Sequence, residues 1–261
     1  MGKQIIETTT LLANEQLGPD LWLATFKAPQ LSRIAQPGQF MLIEPSQQFF
    51  LKRPFSFFDI NVKAETIAVY YQCKGLGTWY MANKWTVGQT VQIQGPHGQG
   101  FQIPEQSNNL LIIAGGIGIA PMKALIDDLI KKGIKYTAIF GGRTKNALNV
   151  LSLFQDNISF LLNTDDGSIG CQQNIVIALE QYLQEHQPEM IVACGPDVVL
   201  TKINQIAKQK QIATQISYES HMACGVGACM GCSKTIDGIN KKICTDGPII
   251  IVEYEKQEGE K

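Results

Sequence analysis

Leu110 to Lys132 reads LLIIAGGIGIAPMKALIDDLIKK. The run Leu110–Ala114 is apolar without polar alternation, which suits a parallel strand buried on both faces. From Pro121 to Lys132 the apolar residues Met122, Leu125, Ile126, Leu129 and Ile130 fall at helical spacing instead. Strand, glycine turn and helix in succession open a doubly wound α/β domain. The turn GGIGIAP, with Gly115, Gly116, Gly118 and Pro121, lets a dinucleotide pyrophosphate approach bare backbone, and the helix N-terminus behind it favours negative charge. Pro121 suits a first helical turn. The G-x-G-x-x-G fingerprint is matched only in part, because Pro121 stands where its last glycine would be. Taken alone, a plain tight turn reads the same way.

Working outward, the same grammar continues downstream. Strands are expected at Tyr136–Phe140, Ile158–Leu162, Met190–Cys194 and Thr214–Ser217, and helices at Asn174–Glu185 and Asp197–Lys210. Upstream, residues 1–103 read as β, with runs at Gln4–Leu12, Leu21–Phe26, Gln39–Glu44, Phe55–Ile60, Thr66–Gln72 and Thr90–Gln94 separated by turn signals such as LGPD, QPGQ and GPHG. Closely spaced strands with one short helical exception, Gly77–Asn83, predict an antiparallel barrel or sandwich. The chain is thus expected to be β followed by α/β. Its charged ending, EKQEGEK, reads as a frayed terminus.

Beyond the second unit lies CGVGACMGCSKTIDGINKKIC, Cys224 to Cys244, which holds four of the seven cysteines. The spacing C-x4-C-x2-C with a later fourth cysteine is the plant-type opening for a [2Fe–2S] centre, although plant-type ferredoxins place the fourth much further along. Small residues between the thiols (Gly225, Gly227, Ala228, Gly231) leave backbone N–H groups free to turn towards sulfur. Zinc also takes four thiolates but usually holds them as two tight pairs in sequence, and only one such pair is present. Inert buried cysteines and a disulfide framework fit this density and composition less well.

With 44% hydrophobic and 17% charged residues in 261, the chain is globular and long enough for two cores and a small module. A net charge of −1 gives no reason to expect nucleic acid, and no apolar run approaches the ~18 residues needed to span a bilayer. The opening residues lack a basic, apolar, small-residue signal pattern, so a reducing cytoplasmic setting is expected.

Two upstream stretches carry further chemistry. In FFLKRPFSFF, Arg53 is a cation within an aromatic strand. It is either a rim residue reaching water or a guanidinium held against a pyrophosphate, with Ser56 beside it. In YYQCKGLGTWYM, Gly75, Gly77 and Thr78 stand at a strand-to-helix turn, and Tyr70 and Tyr71 read equally as ordinary strand packing.

The ordered set R-P-F-S, G-x-G-T, GPHGQGF, GGIGIAP and CGP resembles the ferredoxin-reductase superfamily. The tail MACGVGACMGC with CTDGP narrows the resemblance, over residues 5–253, to the electron-transfer subunits of class 1B, NAD-linked dihydroorotate dehydrogenases. That resemblance implies an FAD-binding β-barrel (1–103), an NAD-binding α/β domain (104–217) and a [2Fe–2S] module (218–261). It implies FAD contacts from Arg53, Pro54, Phe55, Ser56, Tyr70, Tyr71, Gln72, Gly77 and Thr78, and cluster ligation by Cys224, Cys229, Cys232 and Cys244. The turn Gly115–Pro121, with Thr164–Gly167 and Cys194–Pro196, would face the nicotinamide nucleotide. The implied partner is an FMN-containing dihydroorotate dehydrogenase catalytic subunit in a heterotetramer, this chain carrying no substrate base of its own. His221 and Ser233–Lys234 depart from the family's usual pattern, which bears on the partner contact. A reductase passing electrons between NAD(P)H and ferredoxin, sulfite or sulfide shares the same domains and stands as the alternative. Coenzyme choice stays open on residues alone: Arg143 and Lys145 follow the second strand of the α/β domain, Asp165 and Asp166 the third.

Overall fold

The computed structural model describes residues 4–155 and 160–253. In the first part, β1 (Ile5–Gln16) and β2 (Leu21–Lys27) lead through a single turn, α1 (Leu31–Ile34), to β3 (Phe40–Ile43), β4 (Arg53–Ser56), β5 (Asp59–Asn61) and β6 (Thr66–Gln72). Helix α2 (Leu76–Lys84) then precedes β7 (Thr90–His97). These strands form one antiparallel sheet, ordered β4-β3-β7-β1-β2-β6-β5 and curled around Leu11, Phe26, Met41, Ile67, Tyr71 and Ile93, each at most 1% exposed.

The single strand expected over Phe55–Ile60 is two strands with a break between. Phe57 and Phe58 are both buried, but Phe57 enters the barrel core and Phe58 the core beneath the α/β domain. Consecutive aromatic residues serving two different cores require the chain to bend there. The short α1 is held from outside: the carboxylate of Glu7 on β1, 4% exposed, accepts the N–H groups of Gln30 at 3.0 Å and Leu31 at 2.8 Å. Glu7→Ala strips the acceptor from the buried Leu31 N–H and from the part-buried Gln30 N–H and is expected to cost about 2–3 kcal/mol in urea denaturation.

The second part runs β8 (Leu110–Gly115), α3 (Ala120–Lys132), β9 (Tyr136–Gly142), β10 (Leu161–Thr164), β11 (Cys171–Gln172), α4 (Ile175–Glu185), β12 (Met190–Cys194), α5 (Asp197–Gln209) and β13 (Ala213–Ser217). Of the strand expected over Ile158–Leu162, Ile158 and Ser159 lie outside the described residues, as does the charged ending 255–261. The apolar run that predicted β8 serves both faces of the sheet. Leu110, Ile112 and Ala114 pack towards α3 and the barrel, whereas Leu111 and Ile113 pack towards α4 and α5. Residues 145–153, read as no element in the sequence, form 3-10 turns, in keeping with apolar side chains three apart at Leu148, Leu151 and at Val150, Leu153.

After β13 come a hairpin, β14 (Ser233–Ile236) with β15 (Ile239–Lys242), and a last strand, β16 (Ile249–Val252). β16 returns to the α/β sheet and pairs antiparallel with β13, giving the order β11-β10-β9-β8-β12-β13-β16. The strand order reverses between β8 and β12, the crevice in which such sheets take ligands. The barrel is fixed against this domain by Lys123 of α3, whose buried ammonium lies 3.1 Å from Asp59 of β5 and 2.5 Å from Asp127. Among the described residues no helix is long and apolar enough to cross a membrane.

Candidate cofactor sites

At the reversal point, the turn after β8 lies directly on the turn after β12. A Cβ on Gly118 would stand 2.6 Å from the Cys194 carbonyl oxygen and 2.7 Å from the Gly195 nitrogen, both rigid backbone. Gly116 has φ +57° with open space around it, so its peptide is bare to any ligand in the crevice. Pro121 is buried within the first turn of α3 and shapes the turn from behind. Gly118→Ala must force the two turns apart and is expected to weaken NADH binding at least about tenfold, read from the concentration dependence of flavin reduction.

Beside this crevice a cleft of about 530 Å³ draws on all three parts of the chain. From the barrel come Phe40, Arg53, Pro54, Phe55, Ser56, Tyr70, Tyr71, Gln72 and Thr78; from the α/β domain, Ile117, Ala120 and Asp197; from the segment leading to the cysteines, Tyr218 to Met222. The sequence-selected barrel residues therefore converge, with one exception. Gly77 lies under Arg53, where a Cβ would come within 2.6 Å of Nε. Arg53 donates to the Leu51 carbonyl and stands 5.4 Å over the Phe49 ring. Tyr71 lines the cleft, yet its hydroxyl donates into the barrel, to Asn14 at 3.0 Å. The Thr78 hydroxyl accepts the N–H groups of Lys74 and Gly75, so the α2 turn satisfies part of its own need.

Cys224 opens a loop that wraps its own sulfur. The N–H groups of Val226 and Cys229 point at Cys224 Sγ, both at 3.4 Å, and the first of these chiefly lowers its thiol to about 6. The N–H of Gly227 reaches Cys244 Sγ at 3.2 Å and that of Cys244 reaches Cys232 Sγ at 3.4 Å. Burial pushes the Cys244 thiol up to about 12. The four thiols thus associate as Cys224 with Cys229 and Cys232 with Cys244. Two thiol pairs suit two irons, and the N–H groups already aimed at sulfur suit an electron-rich centre.

Residues 219–254 match the iron-sulfur cluster binding domain of dihydroorotate dehydrogenase B. A dihydroorotate dehydrogenase B (NAD(+)) electron transfer subunit from Caldanaerobacter subterraneus subsp. tengcongensis is 32% identical over 247 residues, 93% of this chain and 95% of that one. The chain belongs to the family of dihydroorotate dehydrogenase B electron-transfer subunits. A subunit of the same description from Desulforamulus reducens is 28% identical over 92% of this chain and 94% of its own. In fold, the chain is similar to a protein solved in work on the NADH-dependent reduced ferredoxin-NADP oxidoreductase, with TM-score 0.85, 24% identity and coverage of 94% of this chain and 88% of that one. A ferredoxin NADP+ reductase from Neisseria gonorrhoeae, solved with FAD and NADP, has TM-score 0.64 at 18% identity, covering 77% of this chain and 89% of that one.

As a dihydroorotate dehydrogenase B electron-transfer subunit, the chain carries contacts at and beside this cleft that motif reading did not supply. Lys234, on β14, binds both Asp197 oxygens, at 2.5 and 2.7 Å, and the Glu219 carbonyl at 2.9 Å, tying the cysteine hairpin to the start of α5. The Glu219 carboxyl is raised by partial burial at the cleft wall, though its residue stays open to water, while Lys74 pulls it down. Cys194 is 1% exposed at the end of β12, and burial raises its thiol strongly, so it stands as a neutral filler. In the sequence Cys194 reads with Gly195–Pro196 as facing the nicotinamide nucleotide and Lys234 only as a departure from the family pattern; Glu219 carries no signal beyond its place shortly before Cys224.

His97, at the end of β7, is wholly buried, and neither ring nitrogen has a hydrogen-bond partner among the described residues. Burial lowers its pKa to about 4, so the ring is neutral. Leaving a buried donor unsatisfied costs about 1–3 kcal/mol, so this position calls for a physical account.

Proposed function

We propose that this chain is the electron-transfer subunit of an NAD-linked dihydroorotate dehydrogenase, taking electrons from an FMN-bearing catalytic subunit and passing them to NAD+. The observation that carries this reading is the single cleft walled by the barrel, by the nucleotide crevice and by the segment entering the cysteine loop. Arg53 would hold the FAD pyrophosphate, with Pro54, Phe55, Ser56, Tyr70, Tyr71, Gln72, Gly77 and Thr78 forming the rest of that site. Gly115, Gly116, Gly118 and Pro121 would cradle the pyrophosphate of NAD, and Cys224, Cys229, Cys232 and Cys244 would hold the [2Fe–2S] centre. A bound flavin supplies the conversion between two-electron hydride exchange with nicotinamide and single-electron exchange with iron and sulfur. Phe40, Phe55 and Tyr70 line the cleft with aromatic surface that limits water there, and Lys234 fixes the cysteine hairpin against the nucleotide domain. Oxidation of dihydroorotate itself is assigned to the partner.

The chain would work in the cytoplasm as part of a heterotetramer with that partner. All seven cysteines are free in the fold, in keeping with a reducing compartment. The test is to isolate the chain anoxically with what co-purifies from its own cells, add dihydroorotate and NAD+, and follow NADH. Formation of NADH that stops when the partner is stripped away supports the reading. Bleaching of flavin and cluster by NADH or NADPH with no response to dihydroorotate would assign the chain to a different oxidoreductase.

A further inference from the structure

His97 lies between Phe40, which lines the cleft, and Gly225 of the cysteine loop. One face of its ring stacks on Phe40, with centroids 5.3 Å apart and planes 24° apart, and Phe40 lines the cleft proposed for the flavin. The ring edge bearing Nδ1 and Cε1 faces Gly225, directly after Cys224. A Cβ on Gly225 would stand 3.1 Å from Cε1, 3.4 Å from Nδ1 and 2.6 Å from Leu42 Cδ1. The cysteine loop is therefore seated on this imidazole, and Gly225, with φ +69°, is what permits the close approach. The other groups around the ring are the backbone of Gln94 and Gly225, which approach closely enough to oppose the effect of burial on its pKa without forming a well-aligned hydrogen bond, and the ammonium of Lys52, which is bound to Gln94 Oε1 at 2.9 Å.

We propose that His97 is a tuning residue of the iron–sulfur centre, its buried ring N–H turned to the Cys224 end of the cluster and raising the cluster's reduction potential. This rests on the proposed [2Fe–2S] centre. A hydrogen bond to sulfur stabilises the more negative, reduced state over the oxidised one, which is how the surroundings of such clusters set their potentials. A leucine or phenylalanine of similar volume would fill this space equally well without any donor, so packing alone does not account for an imidazole here. The stack on Phe40 fixes the ring plane, and so also fixes where the N–H points.

The test is a redox titration of the holoprotein, followed by the EPR signal of the reduced cluster, for wild type, His97→Leu and His97→Gln. His97→Leu is expected to shift the cluster to lower potential by about a tenfold change in its one-electron equilibrium constant, 59 mV. His97→Gln restores a donor and should recover part of the shift. Iron and acid-labile sulfide measured on the same samples separate the two ideas: a wild type without cluster defeats the functional reading, whereas a fully loaded His97→Leu with unchanged potential overturns the role of His97. A measurement on the wild type is independent of how the variants fold. With 15N-labelled histidine, the reduced cluster should show a nitrogen coupling by ENDOR that persists in His221→Asn. Absence of any histidine coupling in the wild type also overturns the proposal.

Discussion

Cys229→Ser is expected to yield a chain that keeps FAD and loses its iron–sulfur centre. Dihydroorotate-dependent NADH formation should fall to background, while NADH should still reduce the flavin. Cys229 is the position to test because it is exposed, whereas Cys232 and Cys244 are buried in the core that also holds Met222, Ile236 and Ile243. Serine at either buried position would place a hydroxyl among apolar side chains and confound loss of cluster with loss of fold. At position 229 the change removes a soft thiolate and little else. The Arg53 and Tyr70 side of the cleft belongs to β4 and β6 of the barrel sheet, separate from the β14-β15 hairpin that follows the cysteine loop. Flavin absorbance, iron content and the EPR signal together decide the outcome. Loss of FAD along with iron would show that the barrel depends on the cysteine loop.

Arg53→Ala is expected to weaken FAD binding by about 10- to 100-fold, the value of a charge-assisted contact at roughly 1.5–3 kcal/mol. The structure offers a second route to the same contact. A Cβ on Gly77 would lie 2.6 Å from Arg53 Nε and 3.0 Å from Cζ and Nη2. Gly77→Ala leaves the guanidinium present but pushes it off Gly77 and away from its seat over Phe49. It should lower FAD affinity about tenfold, or roughly 1.4 kcal/mol, with thermal stability of the apo chain little changed. Fluorescence titration of the flavin-free protein reads both variants. If both bind FAD as tightly as the parent, Arg53 is a rim residue and the pyrophosphate lies elsewhere.

The sequence made the α/β core legible because its signals are local. An unbroken apolar strand, a glycine turn and an amphipathic helix are contiguous, and β8 with α3 formed almost where their pattern placed them. The barrel-side motifs likewise converged, since Arg53–Ser56 and Tyr70–Gln72 lie on β4 and β6, which meet across the sheet. What escaped were contacts set by tertiary packing. The break at Phe57–Phe58 depends on two cores competing for adjacent side chains, and an apolar run carries no mark of which core takes which residue. The cleft wall from Tyr218 to Met222 and the clasp of Lys234 on Asp197 join distant segments with no repeating spacing to reveal them. His97 looked like a turn residue in GPHG. Its burial became evident only once β7 and the cysteine loop were seen to meet.

The return of β16 to the α/β sheet sets how this protein can meet its electron donor. Ser217 and Ile249 are cross-strand partners, so everything between them, cysteines included, hangs from two anchors one strand spacing apart, ~5 Å. A carrier slung this way is a fixed terminal and not a swinging arm. It lacks the reach of a tethered shuttle domain. Val226 and Met230, 47% and 58% exposed, stand on this anchored loop beside Cys229.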